Sequence, residues 1–178
     1  MDRPSSGREM QGAAAPGSRS AIVLDPHPGA GAGAGLAGIA LGTRVATLDG
    51  LLPVEYLGPG DRVITRSGMC RLRAATSVPT RGRLVQVAPG ALGHDRPERA
   101  LLLGEGTPVL IRDWRAEALF GRKEALVEVS RLLDGQFIAR AAGAKTRLFA
   151  LHFDAAEVIY ADGVEIGTTP LRTAAATG

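Results

Sequence analysis

A chain of 178 residues is long enough for one domain with a substantial core, and its single cysteine, Cys70, excludes an internal disulfide and any multi-cysteine zinc cage. The formal charge is +3, but the arginines are spread along the sequence and the few aromatics do not interleave with them, which argues against a nucleic-acid surface. No run approaches the ~18 apolar residues of a membrane-spanning helix, and no apolar leader follows Met1, so the expected compartment is the cytoplasm.

Residues 1–35 are dense in Gly, Ala, Pro and Ser, with Ile22-Val23-Leu24 as their one apolar run. Such a composition buries too little surface to offset backbone entropy, so a disordered arm is expected, either a plain tail or a docking peptide. The folded domain is expected over residues 36–170, followed by a frayed tail over 171–178. Lysine occurs only at Lys123 and Lys145 while arginine, alanine and glycine are frequent, a composition that suggests a GC-rich bacterial genome.

Within the domain, Arg44 to Leu48 alternates polar and apolar side chains, Asp49-Gly50 supplies a tight turn, and Arg62 to Thr65 resumes the β pattern. Between them, Pro59 presets the first corner of a type II turn and Gly60 tolerates the second, with Asp61 organising the turn through its side chain. Short β-like runs follow at 69–73, 84–87, 101–103 and 109–111, punctuated by Pro79, Gly82, Pro89-Gly90, Gly93 and Pro97. Helix formers from Arg115 to Phe120, stopped by Gly121, predict one short helix; Ser130 is the expected cap of a second, through Leu132-Leu133. Arg147 to Phe153 and Glu157 to Tyr160 read as a hairpin, and Asp162-Gly163 as the tight turn into Val164-Glu165-Ile166. The periodicity therefore predicts an all-β fold with one or two short helices.

Gly42-Thr43-Arg44-Val45-Ala46-Thr47 with Gly50, followed by Pro53-Val54-Glu55, Leu57 and Gly60-Asp61-Arg62-Val63, resembles the opening of a Hint (Hedgehog/intein) domain of the stand-alone bacterial subgroup. Three later blocks continue the resemblance: Val109 to Arg112; Trp114 to Glu117 with Leu119-Phe120-Gly121; and Phe153-Asp154 with Glu157 to Gly163. It runs from about Gly38 to about Thr169. The resemblance implies a horseshoe of paired, pseudo-twofold β lobes. It also implies self-processing, in which the peptide bond before the domain shifts onto the side chain of an opening cysteine or serine while a histidine protonates the departing amide nitrogen.

The residues at the matching positions do not carry that chemistry. The nucleophile position is Gly38, followed by Ile39. The serine or threonine of the second motif is matched by Gly104 and its histidine by Thr107, whose hydroxyl does not titrate near neutral pH. Both histidines of the late motif are matched by alanines, Ala150 and Ala156, while Asp154 and Glu157 remain; Gly167-Thr168-Thr169 stands where the family has an E-S-F segment. A shift of register does not repair these losses, since no cysteine or serine lies between Ser20 and Ser67 and no histidine between His94 and His152.

The remaining reactive side chains have plainer readings. Cys70 is expected as a half-buried structural thiol. His152 alternates with Leu151 and Phe153 and is expected on the opposite face of its strand. His94 is expected in a solvated loop, and His27 lies in the arm. No ligand spacing suggests a metal and no motif suggests a cofactor; the partner is not legible in the sequence, a protein being one candidate. Thr43 and Thr47 suit a pleated strand but also offer hydroxyls. The expected function is a Hint-domain protein that has lost autoproteolysis and persists as a binding or structural scaffold. The alternative is a slow self-cleaving domain in which Thr43, His152 or Asp154 supplies displaced chemistry.

Overall fold

The computed structural model describes residues 36–170; the arm of 1–35 and the tail of 171–178 lie outside the described residues. In chain order the strands are β1 (Ile39–Ala40), β2 (Arg44–Thr47), β3 (Gly50–Pro53), β4 (Arg62–Thr65), β5 (Gly68–Arg71), β6 (Ala74–Arg81), β7 (Leu84–Val87), β8 (Leu101–Gly104) and β9 (Pro108–Ile111). After α1 (Trp114–Phe120) come β10 (Ala125–Glu128), β11 (Ile138–Arg140), β12 (Lys145–Phe153), β13 (Val158–Ala161), β14 (Val164–Gly167) and β15 (Thr169–Pro170). Single 3-10 turns span Val54–Tyr56 and Val129–Leu132.

The strands form two sheets. One runs β11-β7-β8-β1-β12-β15 with β6 added to β12, and the other runs β10-β9-β14-β13-β2-β4-β5 with β3 added to β2. Alternation sets which face is buried: in β4, Val63 and Thr65 point inward while Arg62 is exposed and Ile64 half-buried. Val45, Val63, Val109, Ile159 and Ile166 of one sheet meet Ile39, Val85, Leu103, Leu151 and Phe153 of the other in a single apolar core. Each such side chain contributes about 1.5–3 kcal/mol on burial.

Two turns share one device. Thr47 Oγ1 accepts from Asp49 N at 3.1 Å and donates to the Gly50 carbonyl at 2.8 Å; Thr65 Oγ1 accepts from Ser67 N at 3.2 Å and donates to the Gly68 carbonyl at 2.9 Å. Gly50 and Gly68 carry the positive φ, 106° and 116°. The two-residue loop of the first hairpin is thus Leu48-Asp49, one residue earlier than the expected Asp49-Gly50, because the threonine side chain closes it. Arg44 to Gly50 and Arg62 to Gly68 are an Arg-Val-x-Thr-x-x-Gly repeat, a signal that the sequence reading passed over. At the intervening turn, Gly60 has φ 99° and Gly58 N donates to Asp61 Oδ2 at 2.8 Å.

Three local expectations are corrected. β12 and β13 are not a hairpin: β12 belongs to the first sheet, where it pairs antiparallel with β6 from Lys145↔Arg81 to His152↔Ala74, whereas β13 pairs with β14. Period-2 alternation identifies a strand but not its partner. Pro79 does not break the chain but sits within β6, whose one ladder is to β12, so its missing N–H faces away from that ladder. Ser130 does not cap the second short helix; it lies inside the 3-10 turn, and its amide donates to the Glu105 carbonyl. α1 does form, one residue earlier than expected, because the Asp113 side chain accepts from Arg115 N at 2.9 Å, and Gly121 ends it in the left-handed region.

Candidate functional site

The segment before β1 is held from three directions. β1 lies between β8 and β12, with Ile39 opposite Leu103 on one side and Phe149 on the other. Gly38 N donates to Thr107 Oγ1 at 3.0 Å, and Gly38 O accepts from Gly104 N at 3.0 Å. One residue pair earlier in the segment, the Leu36 carbonyl accepts from Gly106 N at 3.2 Å. The short loop between β8 and β9 therefore clasps the backbone of residues 36–38.

Thr107 is the centre of this clasp. It is 1 % exposed, and its hydroxyl also lies 2.7 Å from the Gly104 carbonyl and 3.0 Å from the Gly38 carbonyl. A hydroxyl has one hydrogen and two lone pairs, so it accepts from the Gly38 amide and shares its hydrogen between these carbonyls. No hydrogen is left for a reacting group.

Both glycines of the clasp are required by space. Gly38 has φ 149°, where side chains are rare, and a Cβ there would stand 2.9 Å from the Phe149 carbonyl oxygen. A Cβ on Gly104 would stand 2.0 Å from the Leu36 carbonyl oxygen, an overlap that only displacement of backbone relieves. Glycine at these positions is what lets residues 36–38 pass so close to β8 and β12.

Gly38, Thr107 and Ala150 line a common cavity of about 110 Å³, with Ile159, Ile166, Thr168 and Thr169 on its other walls. Its lining contains no acid, histidine, lysine, tyrosine or cysteine. Thr168 faces both ways: its hydroxyl accepts from Glu157 N at 3.2 Å and donates to Glu157 O at 3.1 Å.

Ile39 and Gly167 also line that cavity, whereas the carboxylates, histidines and Cys70 singled out in the sequence do not. Asp154 is exposed and takes a bidentate pair from Arg73 at 2.8–3.0 Å, and this hydrogen bonding holds its carboxyl below the usual range. Ala156 is exposed in the loop before β13. Glu157 Oε2 accepts from Ser67 Oγ and, at 3.0 Å, shares the single Thr65 Oγ1 hydrogen with the Gly68 carbonyl, which ties it to the β4–β5 turn. His152 shares a hydrogen bond with Thr76 through Nε2 at 2.9 Å, on the face opposite buried Leu151 and Phe153, and its Nδ1 has no partner among the described residues. Thr43 is buried, with its amide on the Ala40 carbonyl. Cys70 is half-buried in β5, 3.6 Å from Thr65 Oγ1 and 3.7 Å from Ser67 Oγ. His94 is exposed. Among the described residues no group of three or more His, Cys, Asp or Glu is placed to hold a metal ion, and no helix is long and apolar enough to cross a membrane.

The sequence reading missed a buried ionic centre. Glu165 and Asp162, 4 % and 6 % exposed, are each surrounded by arginines: Arg66, Arg96 and Arg112 on Glu165, and Arg44 and Arg99 on Asp162. A lone acid in the apolar run Val164-Glu165-Ile166 was the available signal, since an ionised side chain on an inward position needs paired charge.

The sequence matches the Hint domain family model over residues 37–170. The structure is similar to the solution structure of a bacterial intein-like domain from Clostridium thermocellum, at 15 % identity and a TM-score of 0.51, covering 75 % of this chain and 99 % of that one. It is also similar to the crystal structure of the gp41-1 intein, at 11 % identity and a TM-score of 0.50, covering 74 % of this chain and 98 % of that one. No curated protein sequence matches at a significant level. The two sheets and one helix are the all-β Hint fold, and the chain belongs to the Hint-domain family.

Proposed function

We propose that this Hint domain no longer cleaves itself at the Ala37–Gly38 peptide and acts as a binding or structural β scaffold. One observation carries the reading: the side chain that reaches the Gly38 amide nitrogen is a threonine hydroxyl, at 3.0 Å, with no titratable group beside it in the cavity. An acyl shift needs a nucleophile on residue 38 and an acid for the departing nitrogen. Glycine supplies no nucleophile. Thr107 accepts from the nitrogen rather than protonating it, and nothing lining the cavity can deprotonate it.

The displaced-chemistry alternative draws no support from the geometry, because Thr43, His152 and Asp154 all stand outside the cavity that holds Gly38. On the proposed reading residues 36–170 are the folded unit, and deleting 1–35 leaves the unfolding midpoint unchanged. The deciding measurement is intact mass spectrometry of the purified chain, sampled over days with and without dithiothreitol. An unchanged mass is expected. A fragment ending at Ala37 overturns the proposal.

A further inference from the structure

A second cavity, of about 310 Å³, opens between the loop of residues 90–96, the end of β9 and the turn into β14. Its volume is at the small end of the range for small-molecule sites. Leu92, Leu110 and Val164 give it an apolar wall, while Arg96, Arg112 and Glu165 give it charge. None of these residues lines the cavity at Gly38.

The charges here are unevenly matched. Glu165 Oε2 accepts from Arg112 Nη2 and, at 3.5 Å, from Arg96 Nη1. Arg66 approaches the other oxygen, Oε1, at 3.6 Å, and has an acid of its own in Glu124 at 3.2 Å. Arg96 and Arg112 thus divide one oxygen of one buried carboxylate, through one nitrogen each, although a guanidinium has five N–H donors. Both remain accessible, with side chains 32 % and 41 % exposed. Asp113, the other acid on the wall, accepts from Arg115 N and pairs with Arg115 Nη1 at 3.4 Å, so it answers a different arginine.

The rim is held by a closed loop. His94, which lines the cavity, and Asp95 have φ of 51° and 55°, in the left-handed region that His and Asp enter more readily than other non-glycine residues. The loop is closed by Leu92 N to Arg96 O at 2.9 Å and Arg96 N to Gly93 O at 3.1 Å.

We propose that this cavity binds a monocarboxylate, whose oxygens take hydrogen bonds from Arg96 and Arg112 and whose short apolar group lies against Leu92, Leu110 and Val164. A planar carboxylate matches the guanidinium fork. One negative charge is what two arginines on a single acid leave unanswered, whereas a phosphate dianion would add excess negative charge beside buried Glu165. The carboxylate belongs either to a free small acid or to the C-terminus of a peptide. The inference is independent of whether the Ala37–Gly38 bond is processed.

The test is an amide-resolved NMR titration of the full ¹⁵N-labelled chain with sodium isovalerate, a short peptide ending in valine as free acid and as amide, sodium phosphate, and chloride at matched ionic strength. Saturable shifts at His94, Gly163 and Val164 are expected from isovalerate or from the free-acid peptide, and none from chloride or the amide. Isovalerate alone identifies a free acid as the ligand; the peptide acid alone identifies a C-terminus. Arg112→Lys, which keeps a cation for Glu165 but loses the fork, weakens the binding by about tenfold. Leu92→Trp, which fills the cavity from its apolar wall and leaves every charged side chain in place, abolishes the binding in a chain whose amide spectrum shows it folded. The proposal is overturned if neither carboxylate gives shifts beyond those of chloride, if phosphate saturates where they do not, or if folded Leu92→Trp binds like the parent chain.

Discussion

The hydroxyl oxygen of Thr107 and the amide nitrogen of Gly38, 69 residues apart in sequence, are hydrogen-bonded at 3.0 Å in the interior of the domain. By resemblance, these are the positions of the histidine and of the residue that opens a self-processing Hint domain. On that resemblance a neutral donor-acceptor stands at the position of an ionisable imidazole, and here it holds the amide nitrogen of residue 38. What results is a fixed backbone clasp.

Thr107 should therefore matter for stability. Thr107→Val keeps the shape but leaves the Gly38 N–H without a partner in a buried position, and loss of that hydrogen bond costs about 1–3 kcal/mol. Thr107→Ser retains the oxygen and should fall well short of that loss. Urea denaturation of the two variants checks this; equal midpoints for Val and parent would show that the clasp contributes nothing.

Restoring the family residues should not restore cleavage. In Gly38→Cys/Thr107→His, the new Cβ at residue 38 meets the Phe149 carbonyl oxygen at 2.9 Å from a φ of 149°, so the thiol can be placed only by moving β1 away from β12. The expected result is a less stable protein whose mass is unchanged after prolonged incubation with thiol. Cleavage after Ala37 would mean that the site is intact but for its side chains.

Much of this arrangement could be read from sequence, and the unread part has a physical reason. Alternation and turn residues located most strands because burial on one face imposes period 2 locally. That local signal did not single out Gly38, Gly104, Thr107 or Ala150, which only the resemblance marked, since nothing in their spacing says that the β8–β9 loop folds over residue 38. It also could not say that β12 joins β6 rather than β13, because partner choice depends on contacts far along the chain. Asp162 and Glu165 were read as turn and strand residues. Their burial follows from five arginines at scattered positions, which no short window contains.

That ionic centre makes the fold depend on Glu165, a buried acid with three arginines on it. Glu165→Gln removes the charge opposite Arg66, Arg96 and Arg112 while leaving the cations in place, and breaking a buried pair in this way costs about 3–5 kcal/mol. The partial exposure of the arginines places the expected loss at the lower end of that range. Thermal unfolding of Glu165→Gln beside exposed Glu117→Gln checks it; comparable midpoints for both would show that the arginines are solvated well enough not to need the acid.

Acid should weaken the fold through two other carboxylates. The hydrogen bond from Arg83, reinforced by Arg140, holds Glu105 below its usual value of 4.5, and the amides of Ile138, Gln136 and Phe137, all donating at 2.8 Å to Asp134 Oδ1, hold Asp134 below 3.8. Both folded-state values are depressed, so the unfolded chain binds protons first as pH falls. The stabilisation is complete above these ordinary values and is lost as pH falls through them toward the lower folded-state values. Asp134 is exposed and the arginines on Glu105 reach into solvent, so the loss is modest and is reduced further by salt. Urea midpoints measured from pH 7 down to pH 3 should decline below about pH 4.5, and Glu105→Gln/Asp134→Asn should decline less steeply over the same interval. An identical slope in the double variant would show that neither Glu105 nor Asp134 carries the acid sensitivity.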